Sequence, residues 1–250
     1  MRSTGSSGSS PRSTRRLSWP APIRTGVRGS TTEAPSTRLD CSVKSRDRRH
    51  PTYNRSIEIL LLCTANQCRS PMADALLRHR LGPVDPTVSV SSAGLYPGGR
   101  PATPHGVAVM ADRGLDLLPH RSRQLGPELL RGADLVIGMA REHVREVAVL
   151  ESSAVDRTFT LKELVRMAEA NGGRRSAEPI GDWLSRISVN RRREALLGVG
   201  HDDDYDIADP IGRDRADYEA TADEIDDLLG RFVALAWSAP AIQHGQERSA

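Results

Sequence analysis

One short segment of the chain contains the residue types needed for covalent chemistry on a phosphate group. It reads CTANQCRS from Cys63 to Ser70, and five residues separate the first cysteine from Arg69. A thiolate is a strong nucleophile when peptide N–H dipoles and positive charge stabilise it. A guanidinium can grip two phosphoryl oxygens with its planar fork and can stabilise the charge that develops on them. The spacing therefore predicts that Cys63 attacks phosphorus while Arg69 clamps the phosphate.

The other residues of the segment are suited to support that chemistry. Ser70 can donate its hydroxyl to the Cys63 sulfur, which helps the thiolate to leave when water attacks a phosphocysteine. Asn66 tolerates left-handed backbone geometry and is predicted to hold the shape of the loop. Successive peptide N–H groups in a tight loop form a cradle for an anion. The predicted phosphate-binding residues are Thr64, Ala65, Asn66, Gln67, Cys68 and Ser70.

A nucleophile of this kind needs a second residue that gives a proton to the leaving oxygen. Asp209 is the candidate general acid and base. Pro210, which follows it, is expected to stiffen the chain segment that carries Asp209 to the site. Neighbouring carboxylates favour the protonated form of an acid when they lie close to it in space. The acidic neighbours Asp202, Asp203, Asp204 and Asp206 are expected to act on Asp209 in this way if they lie close to it.

The elements around the segment place it at the carboxyl end of a buried strand. Ile57 to Leu62 is almost wholly apolar, as is typical of a strand covered on both faces of a parallel sheet. A helix is predicted to begin near Pro71 and to end at Gly82. Such a strand, loop and helix unit puts the loop where ligands bind in α/β sheets.

Further strands and helices alternate along the chain and predict a single doubly wound α/β domain over residues 55–238. Residues 174–204 are charged and weakly periodic, and they are interpreted as a partly helical insertion. The apolar residues of the last helix recur at helical spacing from Ile225 to Ala236. The other predicted strands are Val88 to Ser92, Asp134 to Met139 and Thr158 to Leu161. The other predicted helices are His105 to Arg113, Arg141 to Leu150 and Lys162 to Ala170.

The positive charge of the chain is concentrated at its N-terminal end. Residues 1–54 hold ten arginines and one lysine against three acidic residues, which gives a net charge of +8. Since the whole chain has a net charge of +3, residues 55–250 have a net charge of −5. The Ser-, Arg- and Pro-rich composition of this segment predicts a disordered extension, either a flexible tail or a stretch upstream of the true start. A loose basic arm is not a folded basic face, so no nucleic-acid partner is predicted. Residues 239–250 are predicted to be a second flexible tail.

The number of cysteines and the hydropathy of the chain argue against disulfide-rich, zinc-binding and membrane-spanning proteins. The three cysteines, Cys41, Cys63 and Cys68, are too few for a disulfide framework or a four-ligand zinc site. No metal or other cofactor is therefore predicted, and a reducing, cytoplasmic location is expected. No run of about 18 apolar residues occurs, which excludes a membrane-spanning helix from the sequence prediction. His120 and His143 have no ligand spacing and are assigned structural roles.

The segment LLLCTANQCRSPMADALL, from Leu60 to Leu77, resembles the active-site strand, loop and helix of the low-molecular-weight protein tyrosine phosphatase family. The motifs SSAG, which ends at Gly94, and DLVI, which begins at Asp134, follow in the family's order, as does Asp209-Pro210. The resemblance implies a four-stranded parallel sheet flanked by helices, a phosphocysteine intermediate, a phosphoprotein substrate and no metal. It also implies that Ser92 supports the loop and that Cys68 can pair reversibly with Cys63.

The sequence departs from this family at positions that bear on the substrate. Gln67 stands where phosphotyrosine enzymes tend to carry an apolar residue and protein-arginine phosphatases a threonine. Ile211 follows Asp209-Pro210 where the family often has aromatic residues. Tyr96 is a candidate for one aromatic wall of the substrate site. The insertion 174–204 is a candidate lid or partner surface.

Phosphotyrosine is the preferred substrate in this interpretation, and three alternatives stay open. Gln67 matches neither pattern, so phosphoarginine remains a candidate substrate. Arsenate reductases use the same oxyanion cradle, but no cysteine follows Cys68, so only reduction by an external small thiol is compatible with the sequence. A non-catalytic phosphoprotein-binding module is the third alternative. The oligomeric state cannot be predicted from the sequence.

Overall fold

The computed structural model describes residues 56–191 and 203–237, which belong to one compact unit from Thr52 to Ala250. The predictions for residues 1–54 and 239–250, and for the part of the insertion between the two described ranges, lie outside these residues.

Four parallel strands form the sheet, in the order β2-β1-β3-β4. β1 is central, and five of its six residues, from Ile59 onward, are buried, because helices cover both faces of the sheet. The predicted four-stranded parallel sheet is confirmed. The strands are β1 (Glu58–Cys63), β2 (Ser89–Gly94), β3 (Leu135–Gly138) and β4 (Thr158–Thr160).

Seven α-helices are found in the described residues. They are α1 (Arg69–Leu81), α2 (Pro104–Ala111), α3 (Pro127–Gly132), α4 (Arg141–Leu150), α5 (Leu161–Asn171), α6 (Ile180–Ile187) and α7 (Arg215–Trp237). None of these helices is both long and apolar enough to cross a membrane.

Alternation along β1 divides the core into two layers. Ile59 and Leu61 point into the larger layer, where residues of α1, α2, α5, α6 and α7 are buried. Leu60 and Leu62 point the other way, into a smaller layer with α3 and α4. Since successive strand residues face opposite sides of a sheet, an unbroken apolar run is what a strand between two helical layers requires.

The insertion is partly helical, as predicted, but its α6 part is not weakly periodic. Ile180, Trp183, Leu184 and Ile187 lie on one face of α6 and are buried in the larger core layer. Trp183 stacks on Phe232 of α7 with ring centroids 6.3 Å apart. These apolar residues have helical spacing, but the charged residues around them hide that pattern when only the average composition is considered.

Arg191, which begins a run of three arginines at the end of the described insertion, is nearly buried: its side chain is 6% exposed. Its guanidinium lies 4.1 Å from the ring centroid of Phe159 and pairs with Glu163 through two contacts of 2.8 Å. It also donates to the Thr158 carbonyl at 2.7 Å. The end of the described insertion is therefore fastened to β4 and α5. The two arginines after Arg191 lie outside the described residues.

Candidate active site

The Cys63 to Ser70 loop joins the carboxyl end of β1 to the start of α1. Cys63 is the last residue of β1 and is buried, and Ser70 Oγ donates to its sulfur at 3.0 Å. Asn66 Nδ2 donates in turn to Ser70 Oγ at 2.9 Å. The φ angle of Asn66 is 52°, in the left-handed region that asparagine tolerates. The loop thus holds one hydroxyl against the sulfur through a chain of hydrogen bonds.

Two neighbouring segments fix Asn66 from outside the loop. The backbone N–H of Arg123 donates to Asn66 Oδ1 at 2.8 Å, and His120 Nε2 lies 2.7 Å from the Asn66 carbonyl oxygen. At Gly94 an added Cβ would lie 2.7 Å from the Asn66 backbone nitrogen, so only glycine allows β2 to approach this closely. His120 therefore has a structural role at the loop itself.

Arg69 connects the loop to the segment that carries the candidate acid. Its side chain is 6% exposed, and one of its Nη2 contacts is with Asp209 Oδ2 at 2.5 Å. Nη1 donates to the Ile207 carbonyl at 3.0 Å, and Nη2 also lies 3.4 Å from Thr64 Oγ1. The structure thus brings Arg69 and Asp209, which are 140 residues apart in the chain, into direct contact.

The segment before Asp209 is held by contacts to the edge of the sheet and to α5. Ile207 N donates to the Met139 carbonyl at 2.8 Å, and Arg141 N donates to Asp206 Oδ1 at 2.7 Å. Tyr205 lies between two guanidinium groups, 4.5 Å from that of Arg141 and 4.7 Å from that of Arg166. We call residues 205–209 the acid segment.

These contacts differ from the predicted environment of Asp209. Asp206 accepts from the Arg141 amide, Asp204 is exposed, and Asp202 lies outside the described residues. The charged group in contact with Asp209 is Arg69, a cation, rather than one of the neighbouring acids.

A second carboxylate and a histidine contact the loop at Thr64. Thr64 Oγ1 donates to Glu142 Oε1 at 2.9 Å and lies 3.2 Å from His143 Nε2. His143 Nδ1 accepts from the Ala140 amide at 2.9 Å, so Nε2 carries the proton of the neutral ring. Burial, followed by the positive charge of Arg69, lowers the pKa of His143 to about 3. The sequence did not single out Glu142, and it assigned His143 only a structural role.

The burial of neutral His143 predicts a pH dependence of stability. The unfolded chain takes up a proton near pH 6.5 and the folded chain only near pH 3, so the free energy of unfolding falls as pH falls through this window. The expected loss is about 5 kcal/mol once both states are protonated, by the linkage of about 1.4 kcal/mol per pKa unit.

Urea unfolding of the wild type and of a His143→Gln variant checks this expectation. The stability difference between the two proteins is expected to be largest above pH 6.5 and to shrink at lower pH. The exposed His79 gives a matched control, since His79→Gln should leave the shape of the curve unchanged. A constant difference between wild type and His143→Gln across this range would contradict the prediction.

Cys68, the second cysteine of the loop, is 2% exposed. Burial, followed by the negative charges of Cys63 and Asp209, raises the pKa of the Cys68 thiol to about 12. An interaction with Tyr218 of α7 opposes this rise in part. Cys68 is therefore a neutral thiol at physiological pH, and its reversible pairing with Cys63 stays a prediction.

Three further predicted residues surround the loop in different ways. Tyr96 is 59% exposed, and its backbone N–H donates to the Thr64 carbonyl at 3.2 Å. Gln67 is half-buried, and Pro210 is buried behind the acid segment. The support expected from Ser92 is not made by its hydroxyl, which is buried and has no hydrogen-bond partner in the described part of the chain.

Ser92 instead contacts the loop indirectly, through its carbonyl. Arg123 Nη2 donates to the Ser92 carbonyl at 3.1 Å, and the Arg123 amide holds Asn66.

Comparison with known proteins identifies the family. The family model for low molecular weight phosphotyrosine protein phosphatase matches residues 58–174. A probable low molecular weight protein-tyrosine-phosphatase, EpsP from Ralstonia solanacearum, is 44% identical over 130 residues, which are 52% of this chain and 87% of EpsP. The chain belongs to the low-molecular-weight phosphotyrosine protein phosphatase family. It is thus a phosphatase, as the resemblance of its loop implies.

The relatives of this chain are named after two different substrates, phosphotyrosine and phosphoarginine. The protein-arginine-phosphatase of Bacillus subtilis is 31% identical over 71% of this chain and 95% of its own length. Among solved structures, the low molecular weight protein tyrosine phosphatase of T. tengcongensis matches with a TM-score of 0.54 and 29% identity, over 71% of this chain and 98% of that one. The YwlE arginine phosphatase of Geobacillus stearothermophilus matches with a TM-score of 0.51 and 31% identity, over 70% of this chain and 89% of that one.

Proposed function

We propose that this phosphatase hydrolyses phosphotyrosine in proteins through a phosphocysteine intermediate. Cys63 is the nucleophile, Arg69 the phosphate clamp and Asp209 the general acid and base. The observation that carries this proposal is the contact of Arg69 with Asp209 at 2.5 Å, beside a loop in which Ser70 holds the Cys63 sulfur at 3.0 Å. All the groups that the reaction needs thus meet at the carboxyl end of β1.

In the first step the Cys63 thiolate attacks phosphorus and the P–O bond to the leaving group breaks. The peptide N–H groups of the loop, from Thr64 to Ser70, bind the phosphoryl oxygens, and Arg69 holds two of them through its fork. The substrate phosphate competes with Asp209 for the Arg69 guanidinium. Asp209, released from this contact and placed beside the phosphate dianion, takes up a proton from solvent and donates it to the leaving oxygen.

In the second step water attacks the phosphocysteine and the P–S bond breaks. Asp209, now ionised, accepts a proton from the water, so one carboxyl serves both half-reactions. Ser70 Oγ, which donates to the sulfur, stabilises the thiolate as it leaves. At the end of the cycle phosphate leaves as the product, the Cys63 thiolate is restored, and Asp209 loses the proton that it took from water when it pairs again with Arg69.

Two exposed side chains support an aryl substrate over a small alkyl phosphate. Tyr96 is 59% exposed and lies on a segment that is hydrogen-bonded to the loop at Thr64. Ile211 is 47% exposed and follows Asp209 by two residues. A large apolar side chain gains contact energy when it packs against the face of an aromatic ring. These two residues are therefore the proposed walls for the phenyl ring of phosphotyrosine.

Phosphoarginine is the second candidate substrate. The relatives from Bacillus subtilis and Geobacillus stearothermophilus are named protein-arginine phosphatases, and they match the chain over about 70% of its length. Gln67 carries an amide that could hydrogen-bond to either leaving group, so this position does not decide between the two substrates.

Hydrolysis of matched peptides by the purified full chain tests the proposal. The peptides carry phosphotyrosine, phosphoarginine or phosphoserine in the same sequence, and phosphate release is measured beside a Cys63→Ser control. The largest kcat/KM is expected for phosphotyrosine and the smallest for phosphoserine. A largest value for phosphoarginine would replace the proposed substrate, and no release from any peptide would overturn the proposed activity.

The packing of Tyr205 predicts a selective effect on the acid step. Substitution of Tyr205 by leucine removes the ring between the guanidinium groups of Arg141 and Arg166 and loosens the acid segment. Each such contact is worth about 0.5 to 1 kcal/mol at an exposed site. We expect kcat/KM for phenyl phosphate, whose leaving group needs a proton, to fall about tenfold. We expect little change for 2,4-dinitrophenyl phosphate, whose leaving group needs none.

Tyr205→Phe is the matched control, because it keeps the ring and should behave like the wild type on both substrates. An equal loss on the two aryl phosphates would show that Tyr205 supports the fold in general and not the acid segment.

A further inference from the structure

Glu142 is a carboxylate at the mouth of the site that the proposed reaction does not use. Its side chain is 54% exposed and follows the carboxyl end of β3. Glu142 Oε1 accepts from Thr64 Oγ1 at 2.9 Å, and the same hydroxyl lies 3.4 Å from Arg69 Nη2. One hydroxyl thus separates this carboxylate from the guanidinium that is proposed to clamp the phosphate.

On its loop side, Glu142 contacts groups that carry no charge. His143 Nε2 lies 3.3 Å from Glu142 Oε1, but burial keeps that ring neutral, with its Nδ1 accepting from the Ala140 amide. Arg69 is shared, because Asp209 contacts the same Nη2 at 2.5 Å. Asp209 thus contacts this guanidinium directly, while Glu142 is linked to it only through the Thr64 hydroxyl.

We infer that Glu142 is a specificity-determining residue that favours substrates with a positive charge close to the phosphoryl group. The inference rests on the proposed phosphatase reaction and names which substrates it favours. The positive charge can come from the guanidinium of phosphoarginine or from a basic residue next to phosphotyrosine.

Electrostatics gives the sign of the effect. A phosphate dianion bound in the cradle is repelled by a carboxylate that is hydrogen-bonded to Thr64 of the same loop, and salt screens this repulsion because Glu142 is 54% exposed. A cation on the same substrate is attracted by that carboxylate and offsets the repulsion. Glu142 therefore lowers the affinity for a bare aryl phosphate and raises it for a cationic one, which is selection by charge.

A simpler role is available to Glu142, and it makes a different prediction. Glu142 is an acidic residue in the first turn of α4, where it interacts favourably with the helix dipole. A residue with that role alone affects stability and treats all substrates alike. Glu146 lies one turn further along α4 and is exposed, so a change there removes the same charge at a greater distance from the loop.

The test compares Glu142→Gln with Glu146→Gln and with the wild type. The four substrates are p-nitrophenyl phosphate, a phosphotyrosine peptide with neutral neighbours, the same peptide with lysine on both sides, and a phosphoarginine peptide. In Glu142→Gln we expect kcat/KM to fall about fivefold to tenfold on a cationic substrate and to stay level or rise up to about threefold on the first two. The difference should shrink at 1 M salt, and Glu146→Gln should match the wild type.

The arms of the experiment separate the two sources of charge. A loss confined to phosphoarginine assigns Glu142 to the leaving group, and a loss confined to the lysine peptide assigns it to the neighbouring residues; both support the inference. Equal changes on all four substrates would overturn it while leaving the phosphatase reaction intact. Absence of turnover by the wild type on every substrate would overturn the proposed function instead.

Discussion

Substitution of Cys63 by serine is expected to lower kcat by at least about 10⁴-fold without loss of the fold. A serine hydroxyl is a far weaker nucleophile than a thiolate at neutral pH, and nothing else in the loop can form the covalent intermediate. Cys63 is 3% exposed and the two side chains differ by one atom, so Ser70 can still approach the new hydroxyl. Turnover of p-nitrophenyl phosphate and thermal unfolding of both proteins check this expectation.

Cys68→Ser is the matched control for the nucleophile, since it makes the same change five residues away in the same loop. The Cys68 thiol is protonated at neutral pH because burial raises its pKa to about 12, so it cannot replace Cys63. This variant should keep activity within about tenfold of the wild type, with some loss of stability from the buried hydroxyl. Comparable losses in the two variants would contradict the assignment of Cys63 as the nucleophile.

Arg69→Lys is expected to lower kcat/KM by about 10²- to 10³-fold. A lysine ammonium keeps the positive charge but cannot form the planar fork that holds two phosphoryl oxygens. It also cannot donate at once to the Ile207 carbonyl and to Asp209, as Arg69 does. The acid segment should therefore loosen, and the loss should be larger for phenyl phosphate than for 2,4-dinitrophenyl phosphate.

Arg80→Lys gives a control for the same substitution away from the site. Arg80 pairs with Asp226 at 2.8 Å between α1 and α7, and its side chain is 35% exposed. Activity should stay within about twofold of the wild type, because partly exposed ion pairs contribute little. If Arg69→Lys keeps near-normal kcat/KM, phosphate is bound without the bidentate clamp and the proposed mechanism is wrong.

The first strand and its loop could be predicted well because local rules determine them. The run from Ile59 to Leu62 is apolar at every position, which only a strand between two helical layers requires. Ligands bind beyond the carboxyl ends of such strands, so the place of Cys63 directly after this apolar run indicates a functional role. Chemistry predicted that Asp209 serves the same site as Arg69, but their direct contact was not predicted, because no local pattern relates residues that are 140 positions apart.

Elements whose evidence lies in long-range packing were missed. Ile180 and Trp183 lie on the apolar face of α6, and Asp182 stands between them in the sequence. Their role in the core becomes visible only when Trp183 is seen to stack on Phe232 of α7. Arg191 is buried because Glu163 and the Phe159 ring compensate its charge, and these partners are far from it in the chain. The charged composition of residues 174–204 indicates neither of these buried contacts.

Two residues of the site were missed because their role depends on which strands lie side by side. Glu142 and His143 follow β3, and they meet Thr64 only because β3 lies beside β1 in the sheet. The rule that points to the loop after β1 applies to every carboxyl end of the sheet. Applied to the loop after β3, the same rule points to Glu142 and His143.

Detection of the phosphocysteine tests the central claim most directly. An Asp209→Asn variant lacks the base for the second step, so mixing it with 2,4-dinitrophenyl phosphate and quenching rapidly should accumulate the phosphoenzyme. Mass spectrometry of the digested protein is expected to find one phosphoryl group on Cys63, with release of one equivalent of dinitrophenol in the first turnover. Phosphate release without any covalent phosphoenzyme, or a phosphoryl group on another residue, would contradict the account.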